Sequence, residues 1–178
     1  SLLNPIDLTS DKYSNGKIFS LAGSKSYTGA ALLSGTSALK SGGGILRQIY
    51  PLSLNESYSQ LKEAIDYSID DHGIGFLAID HLSEISSLYD WSDCLMIGPG
   101  LSPVKESVEL ISMVLSNYSK KCVIDATALS AIDFERSKFQ KTPDKSIMTP
   151  HYNELARMLN ISKEELDKDV IKIIKDLS

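Results

Sequence analysis

At 178 residues the chain can bury one sizeable core, and a second domain would be cramped. Its 42% hydrophobic and 23% charged residues suit a soluble globular protein, with no apolar run near the roughly 18 residues of a membrane helix and no visible signal peptide. The balance of 18 basic to 23 acidic residues, net −5 with no basic block, argues against nucleic acid as a partner but not against anions, which helix N-termini and backbone amides can hold.

The opening Ser1-Leu2-Leu3-Asn4-Pro5 lacks an initiator Met, so it marks either an artificial boundary or a module cut from a longer polypeptide. Lys17 to Ala22 reads as a strand that stops at Gly23-Ser24. A Gly/Ser/Thr-rich turn, Gly23 to Gly29, leads into a helix from about Ala30 to Lys40. There Ala31, Gly35 and Ala38 form a small-residue stripe that can pack closely on a sheet. Ser41-Gly42-Gly43-Gly44 ends that helix, and Ile45 to Tyr50 is the next strand. Between Pro51 and Asp93 the pattern predicts a helix over Asn55 to Ile65, a strand over Gly75 to Ile79 and a short helix over Leu82 to Leu88.

Cys94 to Ile97 is an apolar strand ending at Gly98-Pro99-Gly100. Ser102-Pro103 then opens a helix whose Val104, Val108, Ile111 and Leu115 share one face. Lys120 to Ile124 is a strand that stops at Asp125, Ala126 to Ile132 a short helix, and Ser146 to Met148 a strand. That last strand runs into a helix start, with Thr149 as N-cap and Pro150 in the first turn, so His151 lies beside free amides and the positive dipole end. Ser162 with Glu165 makes a capping box, Ile161 with Leu166 the matching staple, and the last helix runs to about Leu177. Cys94 and Cys122 each begin an apolar run outside any CxxC pair, which fits buried free thiols in a reducing cytoplasm.

Strands alternating with helices predict an α/β fold, a mostly parallel sheet with helices on both faces and right-handed crossovers. Ligands bind such sheets outside the carboxyl ends of the strands, and four strands here stop at chemically loaded turns. Gly23 to Gly29 is either a ligand-approaching glycine loop or only a tight turn; its spacing is not that of a P-loop. Gly98-Pro99-Gly100 is a rigid turn that either faces a ligand or merely crosses over. Asp125 either binds a metal-associated water or polar group, or caps the following turn, and taken alone the cap is favoured. His151 by itself reads as a satisfied helix-start histidine, His72 and His81 are expected to be solvated, and nothing local assigns Tyr27 or Glu154 a role.

Taken together, four runs resemble the signatures of the ATP/ADP-dependent NAD(P)H-hydrate dehydratases. They are Ala22-Gly23-Ser24-Lys25-Ser26-Tyr27-Thr28-Gly29-Ala30-Ala31, Met96-Ile97-Gly98-Pro99-Gly100-Leu101, Val123-Ile124-Asp125-Ala126-Thr127-Ala128-Leu129 and Thr149-Pro150-His151-Tyr152-Asn153-Glu154, in that order. The resemblance implies a ribokinase-like fold and repair of hydrated NADH or NADPH. ATP or ADP would phosphorylate the added hydroxyl, with Mg2+, and loss of phosphate would restore the ring double bond. Ala30, Gly100 and His151 would contact the hydrated dinucleotide, with Asp125 on the magnesium and phosphate side and Gly23, Ser24, Tyr27 and Gly98 lining the loops. Thr127 stands where the family often has a second aspartate, which loses a carboxylate but keeps an oxygen ligand.

The family's Gly-Thr-Gly-Asp motif, with the expected catalytic aspartate, would lie beyond Ser178. The chain is therefore expected to be the N-terminal part of one dehydratase domain, catalytically silent alone. A homo-oligomer and fusion or association with an epimerase domain are also expected. The rival readings are a vitamin-precursor kinase of the same fold and a non-catalytic binding or assembly fragment.

Overall fold

The structure, a computed structural model, describes residues 9–132 and 145–176. The opening Ser1 to Pro5 and the helix end foreseen at Leu177 lie outside them. Six strands form one sheet: β1 (Lys17–Leu21), β2 (Ile45–Pro51), β3 (Ile65–Ile69), β4 (Cys94–Ile97), β5 (Lys121–Ile124) and β6 (Ser146–Met148). Their order is β3-β2-β1-β4-β5-β6 and every neighbouring pair is parallel. The chain thus works outward from β1 through β2 to β3, then crosses to the other side of β1 and works outward again. The switch between β1 and β4 opens the crevice in which parallel sheets take ligands.

Helices cover both faces because the strands alternate their side chains. On one face α1 (Thr28–Lys40) lies so close that a Cβ at Gly35 would come within 2.8 Å of Leu61, 2.9 Å of Leu46 and 3.0 Å of Gln48. This is the close packing expected of the small-residue stripe, with Ala31 and Gly35 buried. The opposite face carries the main core. There Phe19, Leu21, Ile49, Leu95, Ile97, Cys122 and Ile124 meet α4 (Lys105–Asn117). The buried stripe of α4 is Ser107, Leu110, Ile111, Val114 and Leu115, rotated from the predicted face so that Val104 and Val108 are only half-buried.

Two predicted elements between residues 51 and 93 are corrected. The helix foreseen over Asn55 to Ile65 is only the single turn α2 (Asn55–Tyr58), and Ile65 starts β3 instead. Tyr58, Leu61 and Ile65 fit a helical period by chance: Tyr58 and Leu61 are buried, whereas Ile65 joins β2 in register with Arg47. Gly75 to Ile79 is no strand. Its carbonyls go elsewhere, Gly75 O accepting from Lys25 N at 2.8 Å and Leu77 O from Ser107 Oγ at 2.6 Å. The helix foreseen over Leu82 to Leu88 is α3 (Leu82–Ser86), preceded by a 3-10 turn over Ile79–His81.

The later elements hold with changes. Ala126–Ala131 is 3-10 rather than α-helical, α5 spans Tyr152–Met158, and the last helix is split into α6 (Lys163–Leu166) and α7 (Val170–Asp176). Ser162 Oγ accepts from Glu165 N at 3.1 Å, which is one half of the expected capping box. Leu155, Ala156 and Leu166 bury together, with Ile161 and Val170 against them. His72 is exposed as expected. His81 is not merely solvated, since its Nδ1 accepts from Ala78 N at 2.9 Å and Nε2 lies 3.2 Å from Asp70 O. Cys122 is buried and Cys94 half-buried, and burial pushes the Cys122 thiol up to about 12. No helix among the described residues is long and apolar enough to cross a membrane.

Candidate functional site

The turns after β1 and β4 meet at the switch point. Gly23 N donates to Pro99 O at 2.8 Å, and Gly98 N to Leu21 O at 3.1 Å. Gly23 has φ +89°, and a Cβ there would run into the Tyr58 hydroxyl. Gly100 has φ +69°, and its Cβ would lie 2.6 Å from Tyr27 O and 2.8 Å from the Ala30 methyl. A side chain at Gly100 would therefore push the two turns apart, and one at Gly23 would displace Tyr58. Tyr27 closes the loop by donating its N–H to Ser24 O at 3.0 Å, and Lys25 N reaches Gly75 O. Ser24 is buried, and its hydroxyl has no hydrogen-bond partner among the described residues. No side chain caps α1, which starts directly from this loop.

The second and third turns are pressed together as closely. A Cβ on Gly98, at φ +118°, would overlap Asp125 O and come within 2.7 Å of the Ala128 methyl. Asp125 N donates to Ile97 O at 3.1 Å. Asp125 occupies the N-cap position of the Ala126–Ala131 turn, yet its side chain makes no cap bond. Its Oδ1 instead accepts from Thr149 Oγ1 at 2.7 Å, tying the third turn to the fourth. The cap favoured for Asp125 taken alone is therefore not what the carboxylate does. Thr127 donates its hydroxyl to Leu101 O at 2.9 Å, so its side chain braces the Gly-Pro-Gly turn. Ala126, at φ +49°, holds a conformation unusual for a residue with a Cβ.

His151, rather than Thr149, is the N-cap of α5. Its Nδ1 accepts from Asn153 N at 3.1 Å and Glu154 N at 3.3 Å, while Glu154 Oε2 accepts from His151 N at 2.9 Å. This is a capping box with histidine in the place usually taken by Ser or Thr. Thr149 is displaced from the role because the helix begins only at Tyr152, three residues on, and its hydroxyl turns to Asp125 instead. An accepting Nδ1 leaves the proton on Nε2, which lies 3.3 Å from Glu154 Oε1. The His151 side chain remains 60% exposed, so its outer edge is open to a ligand.

A cavity of about 400 Å3 lies beside this seam, lined by Thr127, Leu129, Glu154, Arg157 and Met158 among others. It shares Ala126, Thr127, Leu129 and Glu154 with the third and fourth runs, but Gly23, Tyr27, Ala30, Gly100 and His151 are not among its lining residues. The convergent backbone turns, not this cavity, gather the chemistry-bearing groups.

A family model described as NAD(P)H-hydrate dehydratase matches residues 18–178. The chain belongs to that family. It is 29% identical over 159 residues to the bifunctional NAD(P)H-hydrate repair enzyme of Moorella thermoacetica, covering 89% of this chain and 30% of that relative. Among solved structures, it superposes with a TM-score of 0.72 on the ADP/ATP-dependent NAD(P)H-hydrate dehydratase of Bacillus subtilis co-crystallised with ATP/Mg2+, at 25% identity, over 98% of this chain and 58% of that one. A ribokinase-like superfamily protein from Enterococcus faecalis matches at 22% identity with a TM-score of 0.72, over 90% of this chain and 54% of that one. The fold is thus ribokinase-like. The chain spans under a third of the bifunctional relative's length and somewhat more than half of the solved neighbours'.

All four loaded turns therefore lie side by side on the carboxyl edge: Gly23 against Pro99, Gly100 against Tyr27 and Ala30, Gly98 against Asp125, and Asp125 against Thr149, with His151 just beyond. Two participants have roles that differ from the sequence reading, which made Thr149 the N-cap and gave Glu154 none. Thr149 as the Asp125 partner carried no local signal, whereas Glu154 was legible in the three-residue spacing from His151. The described residues contain no group of three His, Cys, Asp or Glu side chains able to hold a metal. Among the described residues of the seam, Asp125 is the carboxylate whose side chain makes no helix-cap bond, whereas Glu154 makes one.

Proposed function

We propose that the seam is the hydrated-dinucleotide wall of an ATP- or ADP-dependent NAD(P)H-hydrate dehydratase. The observation that carries this reading is the unbroken chain of contacts from Gly23 through Pro99, Gly98 and Asp125 to Thr149, which joins the four turns along the carboxyl edge from the switch point outward. Ala30 and Gly100 would form a surface without bulky side chains, against which the ring and ribose lie closely. His151 would offer its Nε2 edge to a ligand oxygen while Nδ1 stays with the helix. Gly23, Ser24, Tyr27 and Gly98 would line the loop, with the buried Ser24 hydroxyl as a free polar group. Asp125 would face the phosphate side, where a magnesium carried on the nucleotide supplies charge neutralisation.

In the reaction, the hydroxyl oxygen of the hydrated ring bonds to the terminal phosphorus of ATP or ADP, and ADP or AMP leaves. The hydroxyl proton passes to a base, which the family resemblance assigns to the aspartate of a Gly-Thr-Gly-Asp motif absent from these 178 residues. The ring carbon–oxygen bond then breaks, phosphate departs, and a proton lost from the adjacent carbon leaves the restored double bond. Catalysis of this kind is mostly positioning and electrostatics, so a wall that fixes the ring contributes directly to rate. The same proposal takes in a homo-oligomer, a cytoplasmic setting and association with an epimerase domain.

The test incubates the intact protein with hydrated NADH, magnesium and either ADP or ATP, and follows the absorbance of the reduced nicotinamide ring. Recovery with either nucleotide, with one phosphate released per ring restored, is the expected result. Stable phosphorylation of a vitamin-precursor hydroxymethyl group, with no recovery from hydrated NADH, would overturn the proposal in favour of a small-molecule kinase.

A further inference from the structure

The loop that carries Gly23 to Gly29 is not held by its own strand alone. Lys25 N donates to Gly75 O at 2.8 Å, so the first motif leans on the segment that follows β3. Gly75 has φ +82°, and a Cβ there would lie 2.8 Å from the Lys25 Cβ, so the two backbones are in close contact. Gly75 is in turn held from beneath: its N–H donates at 2.6 Å to Oδ2 of Asp71. Asp71 is 1% exposed, and its other bonds come from Ser53, N–H to Oδ1 at 2.9 Å and Oγ–H to Oδ2 at 2.7 Å.

One buried carboxylate thus ties the ends of β2 and β3 to the loop after β1. A buried carboxylate is retained only when its oxygens are satisfied, and here three donors converge on it. Burial works to raise the Asp71 carboxyl, and the bonds from Ser53 and Gly75 outweigh it and leave it below the usual value.

We propose that Asp71 is a positioning residue for the substrate loop, acting through Gly75 on Lys25 and so on the Tyr27–Ala30 contact with Gly100. The role rests on the dehydratase reading for its functional consequence and on backbone geometry for its mechanism. An asparagine at 71 keeps the shape but supplies one acceptor oxygen instead of two. Its NH2 must then face either Ser53 or the Gly75 N–H, and the Gly75–Lys25 strut loosens. The strut's bonds run only among Ser53, Asp71, Gly75 and Lys25, so the proposal expects no change in nucleotide use.

The experiment compares wild type, Asp71→Asn and a control, Ser92→Ala, in the intact protein. The control removes the buried bond between Ser92 and the Tyr118 hydroxyl, 3.0 Å long, at the start of β4 and away from the loop. Asp71→Asn is expected to raise KM for hydrated NADH about tenfold, while kcat and the KM for ADP stay within about twofold. Amide exchange at Lys25 should accelerate by at least about tenfold while Ile97 keeps its protection, because the opening is local. Ser92→Ala should move neither KM.

In the wild type, Gly75 and Lys25 amides should exchange through one shared opening, with protection equal within about threefold; this arm decides the matter if the variant does not fold. Unequal protection there, unchanged KM in Asp71→Asn, or an equal KM rise in Ser92→Ala overturns the positioning role. Absence of turnover in the wild type overturns the activity reading instead and is seen before any variant is compared, while exchange at Lys25 still decides whether Asp71 holds the loop.

Discussion

Replacing His151 separates two jobs that one imidazole performs. Its Nδ1 accepts from Asn153 N and Glu154 N, and its backbone N–H is held by Glu154, so the ring is the N-cap of α5. Removing a cap side chain costs about 1 kcal/mol, within a range of about 0.5–2. Both bonds are long and the side chain is 60% exposed, which places the cost toward the lower half of that range. In a chain of this size each kcal/mol moves the melting temperature by about 2–4 °C, so His151→Ala should melt about 2–4 °C early. His151→Ser restores an accepting oxygen and should recover most of that loss. Ser cannot replace the Nε2 edge, however, and losing a hydrogen bond to a charged ligand group costs about 1.5–3 kcal/mol, or roughly tenfold to a hundredfold in kcat/KM. The assay is a melting curve with exchange at the Asn153 and Glu154 amides, beside steady-state turnover of hydrated NADH. If His151→Ala melts with the wild type and both amides keep their protection, the capping argument is refuted. If His151→Ser restores both stability and turnover, the imidazole serves the helix alone.

Gly98→Ala should cost at least about 3 kcal/mol, since its methyl would meet Asp125 O on a backbone that disfavours any Cβ; Gly29→Ala, with open space around it, should instead gain about 0.5–1 kcal/mol, both read by denaturant midpoint. Thr149→Val removes the bond to Asp125 Oδ1 and should cost about 0.5–1.5 kcal/mol while leaving protection at Asn153 intact, because Thr149 is not the cap. Burial pushes Tyr50, Tyr58, Tyr89 and Tyr118 up to about 12 from 10.0. A raised folded pKa means their contribution is fully present below about pH 10 and is lost as pH climbs through about 12. A spectrophotometric alkaline titration should therefore show their ionisation coinciding with loss of ellipticity, and tyrosinate signal from all eight tyrosines before any unfolding would contradict this.

Much of the fold was legible because strand-length apolar runs here end in residues with few structural alternatives. Gly23, Gly98 and Gly100 sit at positive φ where a Cβ would collide, so the glycines mark the turns without ambiguity. Legibility failed where one local signal had two outcomes. Tyr58, Leu61 and Ile65 fit a helix, yet β2 offered Ile65 an edge pairing that the local pattern could not register. Gly75 to Ile79 looks like a strand because it is largely apolar, but its carbonyls at Gly75 and Leu77 accept from Lys25 N and Ser107 Oγ rather than from a neighbouring strand. At the site, Thr149 and His151 competed for one cap, and the Glu154 spacing that favours His151 outweighed the usual preference for threonine. The Asp71–Gly75–Lys25 strut joins residues about fifty positions apart and could not be seen along the chain.

The most direct test of the seam is a titration of the isotopically labelled intact protein with hydrated NADH, followed by backbone amide shifts. The account predicts that the largest shifts fall together on residues 23–30, 98–100, 125–127 and 149–154. Shifts confined to the cavity walls at Leu129, Arg157 and Met158, with Gly23, Gly100 and His151 unmoved, would contradict it.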